Sequence, residues 1–163
     1  MTKWIRNDNA LAALKEVERH ARRDLSIALR HLAKKVMYEI KRDIEHWYKT
    51  YQPVEYNRTM SYINALVVGN VIMTGRDISV EIYFDPAKLE LHHSDFPGLP
   101  FVVDKGWTMP WVPGWSREGS HAISGKVQEL QSGGILGTFN RRFANELKAR
   151  GYNVSVQSSI LDM

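Results

Sequence analysis

The feature that most constrains the fold is a stretch of more than forty residues, from Asn9 to about Tyr51, that contains no proline and no glycine. Apolar residues recur in it in steps of three or four, with a mean step of about 3.6, the period of an α-helix. Asn7, Asp8 and Asn9 are candidate N-caps. The pattern predicts a helix about 60 Å long, which either extends beyond its own core, bends, or packs on neighbouring subunits. Its apolar positions are Leu11, Leu14, Val17, Ala21, Leu25, Ala28, Leu32, Val36, Ile40, Ile44, Trp47 and Tyr51.

The same helix carries a basic face opposite its apolar stripe. Residues 1–50 hold twelve Lys and Arg against seven Asp and Glu, whereas residues 51–163 hold ten against eleven. This asymmetry fits a nucleic acid or an acidic partner, or a solvated helix surface. Interspersed acidic residues weaken a pure nucleic-acid interpretation. The basic face, whose members are spaced by four, seven, four and seven residues, consists of Arg19, Arg23, Arg30, Lys34 and Lys41.

A β region is expected after the helix. Pro53 ends the helical pattern, and a short second helix is expected around Thr59–Leu66. Two strand-like runs follow, Ala65–Met73 and Ile78–Phe84, joined by a turn at residues 74–77. They predict a β-hairpin with one face covered by the long helix.

Residues 85–133 are expected to form an extended loop or arm, because residues 97–119 contain four prolines and four glycines. This part includes the string KGWTMPWVPGW. Two prolines argue against both a helix and a strand there. Three explanations stay open for its aromatics: a lid on the sheet, an interface arm that reaches a neighbouring subunit, or a ligand platform. The interface-arm candidates are Phe101, Trp107, Trp111 and Trp115.

The C-terminal part returns to regular structure. Residues 136–150 predict a short amphipathic helix that ends at Gly151, and Tyr152–Val156 alternate as a last strand that could join the hairpin. The predicted fold is α+β and a single domain over residues 1–163. A long N-terminal helix (1–51) packs on a small antiparallel sheet that follows a corner (52–84), next to the extended arm (85–133), the short helix and the last strand (134–163).

Composition and motifs indicate no catalytic or metal site. The chain has no cysteine, which fits a reducing cytoplasm, and neither a signal peptide nor a membrane span is expected. The best metal candidate is His92-His93-Ser94-Asp95, with Asp85 as a further ligand, but adjacent histidines point apart in an extended chain. We predict that the protein is not an enzyme and uses no cofactor. A cryptic enzyme site around His92, Asp95 and His121 is the alternative.

Residues 51–66, YQPVEYNRTMSYINAL, resemble a motif of the tail-completion or head–tail joining proteins of tailed bacteriophages. That family often shows Tyr-x-Pro-x-x-Tyr-x-Arg-Thr-Gly after a leading helix. Met60 replaces the usual glycine here, and Asn64 stands where serine is frequent. The later string FNRRFANELKARGYNV resembles the family's closing helix and strand. The matching positions, interpreted as a structural or interface motif, are Tyr51, Pro53, Tyr56, Arg58 and Thr59.

The resemblance implies a structural virion protein, made in the host cytoplasm and located in the phage neck or at the upper end of the tail. Such proteins form homo-oligomeric rings, commonly six-fold, that join or complete the tail and leave a channel for DNA. Implied partners are copies of the chain, adjacent neck, tail-terminator or tail-tube proteins, and DNA, with no membrane involved. The alternative is a small nucleic-acid-binding protein that uses the basic face of the N-terminal helix.

Overall fold

A computed structural model describes residues 8–50, 61–75, 77–88, 103–108, 116–133 and 137–154. In these ranges the chain has an α+β fold dominated by one long helix, α1, which runs from Asp8 to Lys49 and is about 63 Å long. The predicted helix is therefore confirmed and is continuous. It ends where the carbonyl of Trp47 accepts hydrogen bonds from both the backbone N–H (3.2 Å) and the hydroxyl (2.7 Å) of Thr50.

The core lies against the C-terminal half of α1. The other elements contribute Tyr62, Ile63, Leu66, Val103 and Ala122 to it. Tyr62 stacks on Phe84 with ring centroids 4.6 Å apart. The apolar stripe of α1 is thus buried only from Ala28 onward, at Ala28, Leu29, Leu32, Ala33, Val36, Met37, Ile40 and Ile44.

The predicted hairpin follows a five-residue helix, α2 (Ser61–Ala65), and consists of two antiparallel pairs. Strand β1 (Leu66–Val68) pairs with β4 (Ile82–Phe84), and β2 (Ile72–Thr74) pairs with β3 (Asp77–Ser79). Between the pairs, residues 69–71 face only residues 80–81, so the register shifts by one residue as at a β-bulge. The hairpin is confirmed, but its first strand is broken after Val68. A 3₁₀ turn, Pro86–Lys88, follows β4.

Within residues 85–133, which were expected to be an extended loop or arm, the structure shows regular elements. Strands β5 (Gly106–Thr108) and β6 (Ser116–Glu118) form an antiparallel pair, and a ten-residue helix, α3 (Ala122–Gln131), follows. The prediction was wrong at these positions. Two of the prolines on which the prediction depended, Pro110 and Pro113, fall between β5 and β6 in the sequence, outside the described residues.

The last helix, α4 (Thr138–Lys148), is confirmed. The N–H of Gly151 donates to Lys148 (2.9 Å) and that of Tyr152 to Leu147 (3.2 Å), the two bonds of a Schellman motif. Gly151 has a φ of 89°, the left-handed conformation that this motif requires. The predicted last strand is absent at residues 152–154. Tyr152 instead turns to α1, where its hydroxyl donates to Asp24.

Candidate functional site

The first turns of α1 lie beyond the body of the protein. Residues 12–20, which we call the overhang, are all exposed. The apolar stripe nevertheless continues there, because Leu14 is 67% and Val17 65% exposed, and both lie on the same side of the helix as buried Ala28 and Leu32. An apolar stripe that leaves its own core requires another surface to be buried.

The five residues of the basic face fall into three environments. Arg19 binds Glu16 at 2.5 Å. Lys41 is half-buried, and burial lowers its pKa, aided by the nearby charge of Lys88. The middle three, Arg23, Arg30 and Lys34, are exposed and form no ion pair within the described part of the chain. We call these three residues the basic row.

The side chain of Glu39 projects from α1 on a side away from the basic row and binds cationic side chains of two other helices. Both of its carboxylate oxygens accept hydrogen bonds from Nη1 of Arg142 (3.0 and 2.9 Å), and one of them also accepts a hydrogen bond from Lys126 (2.9 Å). Burial works to raise the pKa of Glu39, but the hydrogen bonds from Lys126 and Arg142 outweigh it and lower the pKa. Glu129 on α3 completes the network with bonds to both cations, each 2.6 Å. The network fixes α3 and α4 on α1.

A second junction involves Glu146 of α4, which is only 8% exposed. Its carboxylate lies 2.6 Å from Nδ1 of His31 and also accepts from the ammonium of Lys35. Burial works to raise the pKa of Glu146, and these two partners lower it by more. Lys35 is therefore neutralised, in contrast to its neighbour Lys34.

Asp104 caps helix α3 from a distant part of the sequence. Its Oδ1 accepts from the N–H groups of Ile123 (2.8 Å) and Ser124 (3.0 Å), which are free donors at a helix N-terminus. Burial works to raise the pKa of Asp104, and the bonds from Ser124 and Ile123 lower it by more. The carboxylate lies at an open groove of about 620 Å³ bordered by Val127 and Ser132. The two N–H groups occupy Oδ1, and Oδ2 lies 3.6 Å from Nζ of Lys105.

The described residues contain no group of three side chains that could hold a metal ion. Of the residues in the cryptic enzyme alternative, only His121 is described. It is exposed, has a φ of 51°, and lies 3.7 Å from Glu118. His92 and Asp95 lie outside the described residues. Among the described helices, none is both long and apolar enough to cross a membrane.

Most residues of the two predicted interface elements fall outside the described ranges. This holds for the whole motif Tyr51, Pro53, Tyr56, Arg58 and Thr59, and for Phe101, Trp111 and Trp115. The backbone of Trp107 lies in β5, opposite Arg117. A strand therefore exists at this tryptophan, contrary to the expectation of a loop.

Sequence reasoning missed helix α3 and the network built on Glu39. A signal for α3 was present, since Ala122, Ile123, Val127 and Leu130 recur at helical spacing. Gly125 and the flanking glycines concealed it. The sequence does not single out Glu39 among the acids of α1, because its partners are 87 and 103 residues away.

The chain matches no protein-family model, no curated protein and no solved structure. The similarity to phage neck proteins consequently depends on the sequence motif at residues 51–66 and stays a prediction.

Proposed function

We propose that this chain is a structural subunit that assembles with copies of itself into a ring at the neck or upper tail of a tailed bacteriophage. The observation that carries the proposal is the overhang of α1. Its exposed Leu14 and Val17 prolong a stripe that is buried from Ala28 onward, so the helix extends beyond the core that it covers. The motif at residues 51–66 supports the phage context.

A second copy of the chain is the occupant that best fits the overhang. Ring contacts are heterologous, so each subunit must offer two different patches that complement each other. Exposed large apolar side chains also occur on other elements of the chain, away from the overhang. They are Ile72 and Tyr83 on the hairpin, Val127 on α3 and Phe139 on α4.

The proposal assigns no chemistry to the protein. The carboxylates at its helix junctions are occupied by cations or by backbone N–H groups. Such contacts order α3 and α4 on α1 and give the long helix a rigid base. A rigid helix that projects from a small body is suited to reach an adjacent subunit.

Purified phage particles test the location. We expect mass spectrometry to detect the chain at a fixed copy number per particle, and an epitope tag on it to be labelled at the head–tail junction in electron micrographs. A protein that is absent from purified particles would rule out the virion role, whatever its oligomeric state in solution.

A further inference from the structure

Among the described residues, the basic row is a set of exposed cations on one helix that form no ion pair. Arg23, Arg30 and Lys34 lie on one side of α1, and eleven residue steps separate the first from the last, a length of about 17 Å. Cations on either side of them are neutralised: Arg22 by Glu18, and Lys35 by Glu146.

Within residues 20–41, both carboxylates of α1 have partners outside the row. Between residues 20 and 41 the helix has two acids, Asp24 and Glu39. Asp24 accepts a hydrogen bond from the hydroxyl of Tyr152, and Glu39 accepts hydrogen bonds from Lys126 and Arg142. At 100° per residue, Glu39 projects about 140° away from Lys34. The acids within this stretch are therefore bound by other residues.

Two exposed apolar side chains lie along the same side of the helix. Ile27 is 39% and Tyr38 63% exposed. Each lies within about 40° of a residue of the row around the helix axis. An exposed tyrosine ring next to cations is a feature of surfaces that contact nucleic-acid strands.

We propose that the basic row binds the phosphodiester backbone of a nucleic acid. A duplex strand presents a phosphate every 3.4 Å of axis, so about five phosphates lie along a row of this length. Contacts to phosphates carry no sequence information directly, so we expect binding by the row to be independent of sequence. An acidic protein fits less well, because lysine is depleted in protein interfaces and the row includes Lys34.

This inference does not depend on ring formation, since a single subunit contains the whole row. Fluorescence anisotropy with two labelled 30-base-pair DNA duplexes of unrelated sequence tests it at 50 to 200 mM salt. If three phosphates are neutralised, the logarithm of the association constant falls with the logarithm of the salt concentration with a slope of about −2.7. We therefore expect the affinity to weaken about 40-fold over this range. The two duplexes should bind equally.

The decisive variant is Arg23→Gln/Arg30→Gln/Lys34→Gln. We expect this triple variant to lose most of the affinity for DNA at 50 mM salt and most of the salt dependence of binding. Each single substitution should reduce the magnitude of the salt slope by about one. The matched control, Arg141→Gln/Lys148→Gln/Arg150→Gln, removes the same charge from exposed residues at α4 and should bind like the wild type. Circular dichroism verifies that both variants are folded.

Three results would overturn the inference. They are no binding at 50 mM salt, equal weakening by the row variant and the control, and displacement of the DNA by polyglutamate as efficiently as by unlabelled DNA. The last result would identify an acidic protein as the partner. Light scattering of the same samples reports the oligomeric state, so failure of the ring proposal is distinguishable from failure of this one.

Discussion

The Nη1 atom of Arg142 lies 3.0 and 2.9 Å from the two carboxylate oxygens of Glu39, and Nη2 of the same guanidinium lies 2.6 Å from Glu129. One side chain of α4 thus joins α1 and α3. Because the two helices contribute acids 90 residues apart in the sequence, this contact exists only in the folded protein.

Replacement of Arg142 by methionine should lower the free energy of unfolding by about 1–2 kcal/mol. Methionine keeps much of the packing but leaves two partly buried carboxylates with Lys126 alone. Urea denaturation measures the change. Arg141→Met is the control, since Arg141 is exposed and has no ion pair in the described part of the chain, and its effect should stay within about 0.5 kcal/mol. Equal losses for the two variants would contradict a specific role of the network.

Stability should depend on pH through the carboxyl groups at the helix junctions. Glu39, Asp104 and Glu146 have a lowered pKa because hydrogen bonds and nearby cations outweigh the effect of burial. A lowered folded pKa stabilises the protein above the unfolded pKa, ordinarily 4.5 for Glu, and this stabilisation is lost as the pH falls through the folded pKa. We therefore expect the free energy of unfolding to decrease as the pH is lowered below about 4.5.

Glu146→Gln isolates one contribution to this pH dependence. The variant should be less stable than the wild type at pH 7, and the difference should narrow toward pH 3, where the wild-type carboxyl is itself protonated. Glu81→Gln, at an exposed position, should follow the wild-type curve. A difference that stays constant from pH 7 to pH 3 would show that the charge of Glu146 is not what stabilises the junction.

Two glycines should respond in opposite ways to alanine. A Cβ at Gly119 would lie 2.2 Å from the carbonyl oxygen of Asp104 and 2.5 Å from the nitrogen of Gly106, so Gly119→Ala should cost at least about 2 kcal/mol. A Cβ at Gly125, inside α3, meets nothing within 4 Å, and Gly125→Ala should stabilise by about 0.5–1 kcal/mol. Thermal unfolding distinguishes the two; the same sign for both would refute the close approach at Gly119.

The overhang should matter for assembly and not for folding. Leu14→Gln/Val17→Gln replaces the apolar side chains of the overhang by glutamine, which is a good helix former and leaves the charge unchanged. We expect the variant to keep the wild-type free energy of unfolding of the subunit but to lose self-association. Ala12→Gln/Lys15→Gln alters the same turns at positions at least about 100° from Leu14 and Val17 around the helix axis and should assemble normally. A variant that assembles as well as the wild type would show that the overhang is not an interface.

Patterns of neighbouring residues in the sequence predicted the helices and turns that are stabilised mainly by contacts between residues close in sequence. The helix α1 has an unbroken period, the turn at Gly75 separates two β-rich runs, and Gly151 follows α4 with the conformation that a Schellman motif needs. Helix α3 escaped prediction because its middle contains Gly125 and its N-terminus is capped by Asp104, which lies 19 residues before Ile123. A cap at that separation is set by the tertiary fold and has no local signature.

The same distinction holds for the candidate surfaces. Helical spacing alone placed the basic residues on one side of α1, and this is confirmed for Arg23, Arg30 and Lys34. What spacing could not show is which cations are neutralised by distant acids, as Lys35 is by Glu146, and where the body of the protein ends along the helix. The neutralised cations and the end of the protein body along the helix both depend on contacts between residues more than 100 positions apart.

The most direct test of the central proposal, homo-oligomeric assembly through the overhang, is the molar mass of the purified wild-type chain by size-exclusion chromatography with light scattering. We predict one species whose mass is a whole-number multiple of the 18.8 kDa subunit, with the Leu14→Gln/Val17→Gln variant shifted to the subunit mass. A wild-type protein that elutes with a mass of 18.8 kDa at every concentration tested would contradict the account.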